Sequence, residues 1–411
     1  MKLPLDIDIH LTQEQIQLRE NIHKFAEEVL RPAAQTLDRL DDPEQVIAKD
    51  SIFWDVFRKA WRLGYHAIGI PADFGGGGLV GVDTHIFCEE LGWGSADFAI
   101  GIGVAGLPFV VLATLRPDLL DKYAKPFIED TEAKIIGCWA ITEPQHGSDF
   151  LYAGTQTFGG PQVKTQVVAK LDGDAYVLTG QKSAWVSNGT IATHALVFLT
   201  IETDDGGIGG GVAFVPLDLP GVTRGKPLNK LGQRALNQGE IFFDDMRLPA
   251  ELMLIDPTMY EFALDTVLAA ANAGMGAIFT GVARSAFEEA LAYTKVRVQG
   301  GKPICEHQLV QKQLFDMFKT VEACRALSRH ALAYNAVNIP PQTQYSIASK
   351  TFCTDASFEV ASTALGLFGG YGLSREYPIE KIFRDARASL IEDGTNDVLS
   401  LAGARLVLNR Y

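Results

Sequence analysis

The chain has 411 residues, 47% of them hydrophobic, enough for two or three domains with substantial shared cores. A formal charge of -14 argues against nucleic acid as the main partner. Charged residues make up 21% with no long biased tract, which argues against disorder away from the termini.

The first ten residues, Met1 to His10, carry acids where a secretory signal needs a basic start and an apolar run. From Thr12 the reading is helical: Thr12 offers an N-cap with Gln15 three residues on, and apolar positions recur at Ile16, Ile22, Phe25, Ala26 and Val29. Helical patterns continue through Phe53–Leu63, Thr84–Leu91 and Pro117–Ile128. Between them, Gly75-Gly-Gly-Gly78 lacks the Lys-Ser/Thr of a phosphate loop and reads as a flexible connection. Phe98 to Leu115 is an eighteen-residue apolar stretch, long enough to raise a membrane span. Its Gly101, Gly103, Gly106 and Pro108 favour a buried helix pair lining a pocket, and no membrane insertion is expected.

After about Lys134 the character changes. Val163–Leu171, Ala175–Thr179 and Ala195–Ile201 are β-branched and alternating, separated by Asp172-Gly-Asp174 and Gly180-Gln-Lys182. Gly206–Gly211 reads as a hairpin-like glycine connection, since a nucleotide fingerprint would need a helix next. Strand returns at Val212–Pro216 and Glu240–Asp244. From Met259 onward the pattern is helical again, with segments at Phe262–Val296, Gln308–Asn335, Gln344–Phe368 and Val398–Leu408. The expectation is an α+β chain: an N-terminal all-α domain (1–136), a middle β-barrel-like domain (137–250) and a C-terminal four-helix bundle (251–411). Five scattered cysteines, never spaced as C-x-x-C, read as thiols of a reducing compartment. A cytoplasmic protein is expected. His146 and His194 have no ligand-spaced partners, so no metal is expected.

Three segments carry candidate chemistry. Trp139-Ala-Ile-Thr-Glu-Pro-Gln-His-Gly-Ser-Asp149 lies where helix gives way to sheet, and by composition alone is an ordinary capped turn. Gly180-Gln-Lys-Ser-Ala-Trp-Val-Ser-Asn-Gly189 sets an aromatic beside a small donor, which by itself fits a core tryptophan. The third runs from Leu367-Phe-Gly-Gly-Tyr-Gly-Leu-Ser-Arg-Glu-Tyr-Pro378 through Phe383-Arg-Asp-Ala-Arg387 to Ile391-Glu-Asp-Gly-Thr-Asn396. It joins a glycine turn, a charged helix and a carboxylate-Gly-Thr loop.

In this order, the segments resemble the acyl-CoA dehydrogenase family of flavoenzymes. The resemblance covers nearly the whole chain and implies non-covalent FAD, an acyl-CoA substrate, oxidation to the α,β-unsaturated thioester, a homotetramer and an electron-transfer flavoprotein as acceptor. It implies flavin contacts at Trp139, Ile141, Thr142, Ser148, Trp185, Val186 and Ser187, with Ser148 also touching the thioester. Arg297-Val-Gln-Gly-Gly-Lys-Pro-Ile304 matches the stretch whose arginine reaches the flavin pyrophosphate of a neighbouring subunit, a role suited to a planar guanidinium. Arg297 takes that role, with His307 and Gln308 beside it and Gly369-Gly370 approaching the same dinucleotide; from the residues alone, Arg297 also serves as a helix C-terminal cation. Gly394, Thr395 and Asn396 follow the base and contact the flavin.

The proton-abstracting base falls on Asp393, where most members have Glu, and Glu392 takes the place of the preceding aromatic. Glu392 is the alternative base, one that a regular backbone would point elsewhere. The position from which other members take a base is Ala271, and a neighbouring arginine is here Asn272; Gly300 and Gly366 depart from the family on the adenine side. A shorter base suggests a cyclic or branched acyl group. Arg234, Asp244 and Arg247 are expected in structural ion pairs. An oxidase, a carrier-protein thioester dehydrogenase and a non-catalytic flavin-binding protein are the alternatives on the same fold.

Overall fold

The computed structural model describes residues 7, 10–149, 165–202 and 208–409. Val163 and Lys164, the Gly206-Gly207 pair and most of the acidic leader lie outside the described residues.

Helix α1 (Gln13–Phe25) starts on a reciprocal cap: Gln15 N–H donates to Thr12 Oγ1 at 3.2 Å, and Thr12 N–H to Gln15 Oε1 at 3.1 Å. It runs through one wide turn (Ala26–Leu30) into α2 (Arg31–Asp38). Then come α3 (Pro43–Val46), α4 (Ile52–Arg62), α5 (Val82–Gly94), α6 (Ala96–Leu115) and α7 (Lys125–Glu129). Helix α6 is one continuous helix rather than the expected pair. Pro108 sits inside it without ending it, its ring packed where a side chain on Gly137 would meet it at 2.8 Å. Nor are Gly75–Gly78 a flexible loop. Gly77 N–H donates to the Ala67 carbonyl at 3.1 Å and Gly78 N–H to that of Ile70 at 2.9 Å. A Cβ on Gly76 would lie 2.2 Å from the Ile70 carbonyl, so only glycine admits this fold-back.

Eight strands form one sheet: β1 (Gly137–Ala140), β2 (Val168–Asp172), β3 (Ala175–Lys182), β4 (His194–Glu202), β5 (Ile208–Pro216), β6 (Val222–Arg224), β7 (Ile241–Pro249) and β8 (Met253–Ile255). The order is β6-β7-β3-β2-β4-β5-β8, with β1 parallel to the first half of β4 and β2 parallel to its end. Strand β4 is buried from Ala195 to Ile201, as expected for a strand covered on both faces. Arg247, on β7, pairs with Asp172 at 2.6 Å in an exposed ion pair. Arg234 instead spends its guanidinium on Asn229 and on the backbone carbonyls of Lys230 and Leu40.

The C-terminal part opens with α8 (Tyr260–Val296), followed by a short hairpin of β9 (Val298–Gln299) and β10 (Lys302–Pro303). Helices α9 (Gln308–Val337) and α10 (Thr343–Phe368) pack on α8 and on each other, while α11 (Ile379–Ala388) and α12 (Asn396–Leu408) lean on α10. The architecture is thus α+β: helical domain, sheet domain, helical domain. Helices α6 and α8 are long and apolar enough to cross a membrane, yet 61% of the most apolar window of each is buried within the fold.

The two helical parts meet where α5 crosses α8. A Cβ on Gly92 would lie 2.1 Å from the Ile278 carbonyl, and one on Gly281 would lie 2.0 Å from that of Glu89. The helices therefore touch backbone to backbone. Beside this contact Arg284 meets Glu89 at 2.6 Å and Glu90 at 2.5 Å, and Arg325 meets Glu89 at 2.9 Å, all buried. His23 Nδ1 lies 2.8 Å from Glu90 on the far side. Overpacking a core contact costs about 1–3 kcal/mol. Gly281→Ala is expected to lower stability by about that amount, read as a lower denaturant midpoint with an unchanged slope.

Candidate active site

A cavity of about 840 Å³ opens where the sheet meets both helical parts. One wall is apolar: Ile100 and Val104 from α6, Trp139 and Ile141 from the end of β1, and Met275 from α8. The facing wall is polar and comes from the loop before β7 and the segment after α11, with Lys230, Gln233, Glu392 and Asp393. At the mouth, Trp185 turns an unusually bare indole into the space, 57% exposed.

The turn after β1 is rigid because a buried ion pair anchors it. Lys182 Nζ on β3 donates to Glu143 Oε1 at 2.6 Å and to the Ile141 carbonyl at 3.0 Å, and neither charged side chain is exposed. Glu143 also accepts from the backbone N–H groups of Gln166 and Val167. Such a pair orders its surroundings only when its remaining hydrogen-bonding sites are filled, as here. The Glu143 and His146 backbones bond to each other, and Ser183 N–H donates to the Thr142 carbonyl at 2.9 Å. Thr142 through Ser148 are thereby laid along the cavity floor.

The carboxylate loop is built differently. Asp393 sits at φ 51° and Gly394 at φ 98°, two consecutive left-handed residues. Aspartate tolerates this region better than most side chains, and glycine adopts it freely. Lys350, a fully buried lysine on α10, holds the turn from below. Its Nζ donates to the Gly394 carbonyl at 2.8 Å and to Asn396 Oδ1 at 2.6 Å. Thr395 N–H donates to Ser148 Oγ at 2.9 Å, which ties the carboxylate loop to the cavity floor.

The left-handed step also overturns the expectation that Glu392 points elsewhere. Side chains alternate only on regular backbone, and here both Glu392 and Asp393 line the cavity. Their surroundings differ. Glu392 Oε2 accepts from Gln233 Nε2 at 2.8 Å, whereas no donor reaches either Asp393 oxygen among the described residues. Burial pushes the Asp393 carboxyl up to about 6, with the charge of Lys350 opposing. Burial also pushes Glu392 up, to about 7, with the Gln233 bond opposing and the charge of Asp393 adding to the rise. Lys350 itself is pushed down to about 8 by burial, with Asp393 opposing.

Most of the chain is covered by one family. Residues 12–123 match the family described as acyl-CoA dehydrogenase, N-terminal domain, residues 138–246 its middle domain and residues 261–408 its C-terminal domain. The chain belongs to the acyl-CoA dehydrogenase family. It is 30% identical to the probable acyl-CoA dehydrogenase YngJ of Bacillus subtilis over 98% of its own length and 100% of that protein. It matches the structure of butyryl-CoA dehydrogenase from Megasphaera elsdenii at TM-score 0.84 and 27% identity, covering 98% of this chain and 100% of that one. A solved structure described as the electron transferring flavoprotein of Acidaminococcus fermentans matches at TM-score 0.85 and 28% identity, with 98% of this chain and 100% of that one covered.

The residues that the family resemblance singles out fall into three groups in this acyl-CoA dehydrogenase fold. Trp139, Ile141, Thr142, Ser148, Trp185, Ser187, Asp393 and Gly394 line the large cavity. Arg297, Gly369 and Gly370 line a separate cavity of about 550 Å³ between the end of α8 and the end of α10, with Arg297 over the Tyr371 ring at 5.6 Å. The rest line neither. Val186 is a core side chain, and His307 Nε2 lies 3.0 Å from the Gln299 carbonyl. Gln308 is exposed at the start of α9, and Asn396 is committed to Lys350, Thr354 and Asp355. Asn272 is buried and bonds back to the Leu268 carbonyl, while Ala271 packs among apolar side chains. Sequence reading missed Gln233, Lys230, Met275 and Lys350. The first two stand in Lys230-Leu-Gly-Gln-Arg234, where only Arg234 is singled out from sequence, as an ion-pairing residue.

The raised Asp393 pKa has a stability consequence. A carboxyl held neutral by the fold contributes stability below its unfolded pKa of 3.8, and that contribution is lost as pH rises through about 6. Asp393→Asn removes the penalty. It is expected to be more stable than the wild type by about 2 kcal/mol at pH 8, with the gap closing near pH 4, as read by chemical denaturation at both pH values.

Proposed function

We propose that this protein is an FAD-dependent dehydrogenase that converts an acyl-CoA thioester to its α,β-unsaturated form, with Asp393 as the base. The observation that carries this is a carboxylate on the cavity wall with no hydrogen-bond donor among the described residues. A carboxylate free of donors, with its pKa raised towards neutrality, takes up a proton more readily than an exposed one.

The fold offers what FAD requires. Trp139 Nε1 is a buried donor with no acceptor among the described residues, the Trp185 face is open, and Thr142, Ser148 and Ser187 provide hydroxyls around the same space. In the second cavity nothing within 4 Å would meet a side chain at Gly369 or Gly370, which leaves their backbone open beside Arg297. When bound, FAD supplies the acceptor for the hydride leaving the β-carbon. The protein's own part is to hold the thioester between the Ile141–Ser148 turn and the carboxylate loop, to exclude water with Ile100, Val104 and Met275, and to take the α-proton on Asp393. Lys350 and Ser148 fix the height of that carboxylate through the Gly394 carbonyl and the Thr395 amide.

The division of the cofactor residues between two cavities supports an assembly in which Arg297, Gly369 and Gly370 of one chain complete the site of another, as in the homotetramer the resemblance implies. Electrons then pass to an electron-transfer flavoprotein. All five cysteines are free, in keeping with a cytoplasmic setting.

Asp393→Asn is expected to slow anaerobic flavin bleaching by an acyl-CoA ester about 10²- to 10⁴-fold, the usual contribution of a general base. In Glu392→Gln the loss stays under about tenfold, since a carboxylate held by Gln233 is not the base. The wild-type bleaching rate at subsaturating ester rises with pH through about 6, because the base must be ionised to work. Equal rates for Asp393→Asn and wild type would remove Asp393 from this role.

A further inference from the structure

Glu392 is not needed as the base, yet it lines the cavity one residue from it. Gln233 Nε2 holds one of its oxygens at 2.8 Å, and Gln233 is itself fixed: its N–H donates to Asp385 Oδ1 at 2.5 Å and it is 1% exposed. No donor reaches Glu392 Oε1 among the described residues. That second oxygen is open to the cavity, and so is free to accept a hydrogen bond from a bound group. Asp393 and Glu392 are neighbours in the chain, and consecutive Cα atoms lie about 3.8 Å apart. A substrate carbon held at Asp393 therefore has groups two or three bonds away within reach of Glu392 as well.

Charge narrows the complement. Lys230 lines the same wall, its Nζ held at 2.7 Å by both the Leu236 carbonyl and Gln238 Oε1, and Lys350 lies beneath the turn. Each carboxylate thus already has a nearby lysine, and a cationic acyl group would meet that positive charge as well. An anionic acyl group would meet two carboxylates. A neutral hydrogen-bond donor meets neither penalty. We propose that Glu392 is a specificity residue that accepts a hydrogen bond from a hydroxyl on the acyl group, so that the enzyme selects hydroxylated acyl-CoA esters over their deoxy counterparts. The inference rests on the dehydrogenase reading above and narrows its substrate class.

The test uses the FAD-loaded enzyme and pairs of CoA esters with one carbon skeleton, cyclic and branched, with and without a hydroxyl two or three bonds from the α-carbon. Anaerobic flavin bleaching gives kcat/KM for each ester, and the spectral change on binding gives Kd. The wild type is expected to favour the hydroxyl ester of at least one pair by about tenfold or more, as a site built around a polar contact does. In Glu392→Leu that ratio falls towards one, and in the isosteric Glu392→Gln, whose single oxygen is taken by Gln233 Nε2, it falls as well. A ratio that survives in Glu392→Leu, or wild-type preference for the deoxy ester in every pair, overturns the proposal. If deoxy esters bleach the flavin and Asp393→Asn abolishes this, the dehydrogenase reading stands and only the hydroxyl selectivity falls. If no ester of either kind bleaches it, both fall together.

Discussion

Buried charge at the crossing of α5 and α8 holds the rest of this structure in register. Arg284 reaches two adjacent glutamates of α5 from the middle of a 37-residue helix, and Arg325 brings α9 to the same point. Removing one partner from such a cluster strands the others without water and costs about 3–5 kcal/mol. Glycines at 92 and 281 let the backbones close over it, so geometry and charge enforce the same crossing. Because α8 also carries Met275 into the cavity and α6 follows α5 directly, this crossing fixes the apolar wall relative to the bundle.

Two other buried lysines perform parallel work at the cavity. Lys182 ties the turn after β1 to the sheet through Glu143, and Lys350 ties the carboxylate loop to α10 through a backbone carbonyl. The first is a salt bridge; the second has no carboxylate in hydrogen-bond reach. That difference bears on the proposed role of Asp393. A lysine bonded directly to Asp393 would depress its basicity, whereas one bonded to the next residue's carbonyl positions the turn and leaves the carboxylate open.

The domain order was legible because it rests on period: helical spacing before Lys134, β-branched alternation to about Asp244, helical spacing after Met259. The proposed base was suggested only by resemblance, since Glu-Asp-Gly-Thr has no chemistry of its own in a string of letters. Residues whose roles depend on distant partners were hidden. Gln233 meets Glu392 across 159 positions of chain and Lys230 shares its wall of the cavity, and nothing local marks either. Backbone conformation was the other blind spot. The assumption that neighbours face opposite ways failed at residue 393 because a positive φ breaks alternation, and the tetraglycine misled because glycine permits tight packing as readily as looseness.

The bare indole at the cavity mouth has an optical consequence. Trp61 and Trp93 are 1% exposed and Trp139 is 9% exposed, while Trp54 is half-buried and bonds to the Ile47 carbonyl; Trp185 alone stands open. A solvated indole emits at longer wavelength than a buried one, so the red edge of the intrinsic fluorescence belongs mainly to Trp185. A planar ring system settling against it quenches that edge first, giving a label-free readout of how fully each preparation is loaded.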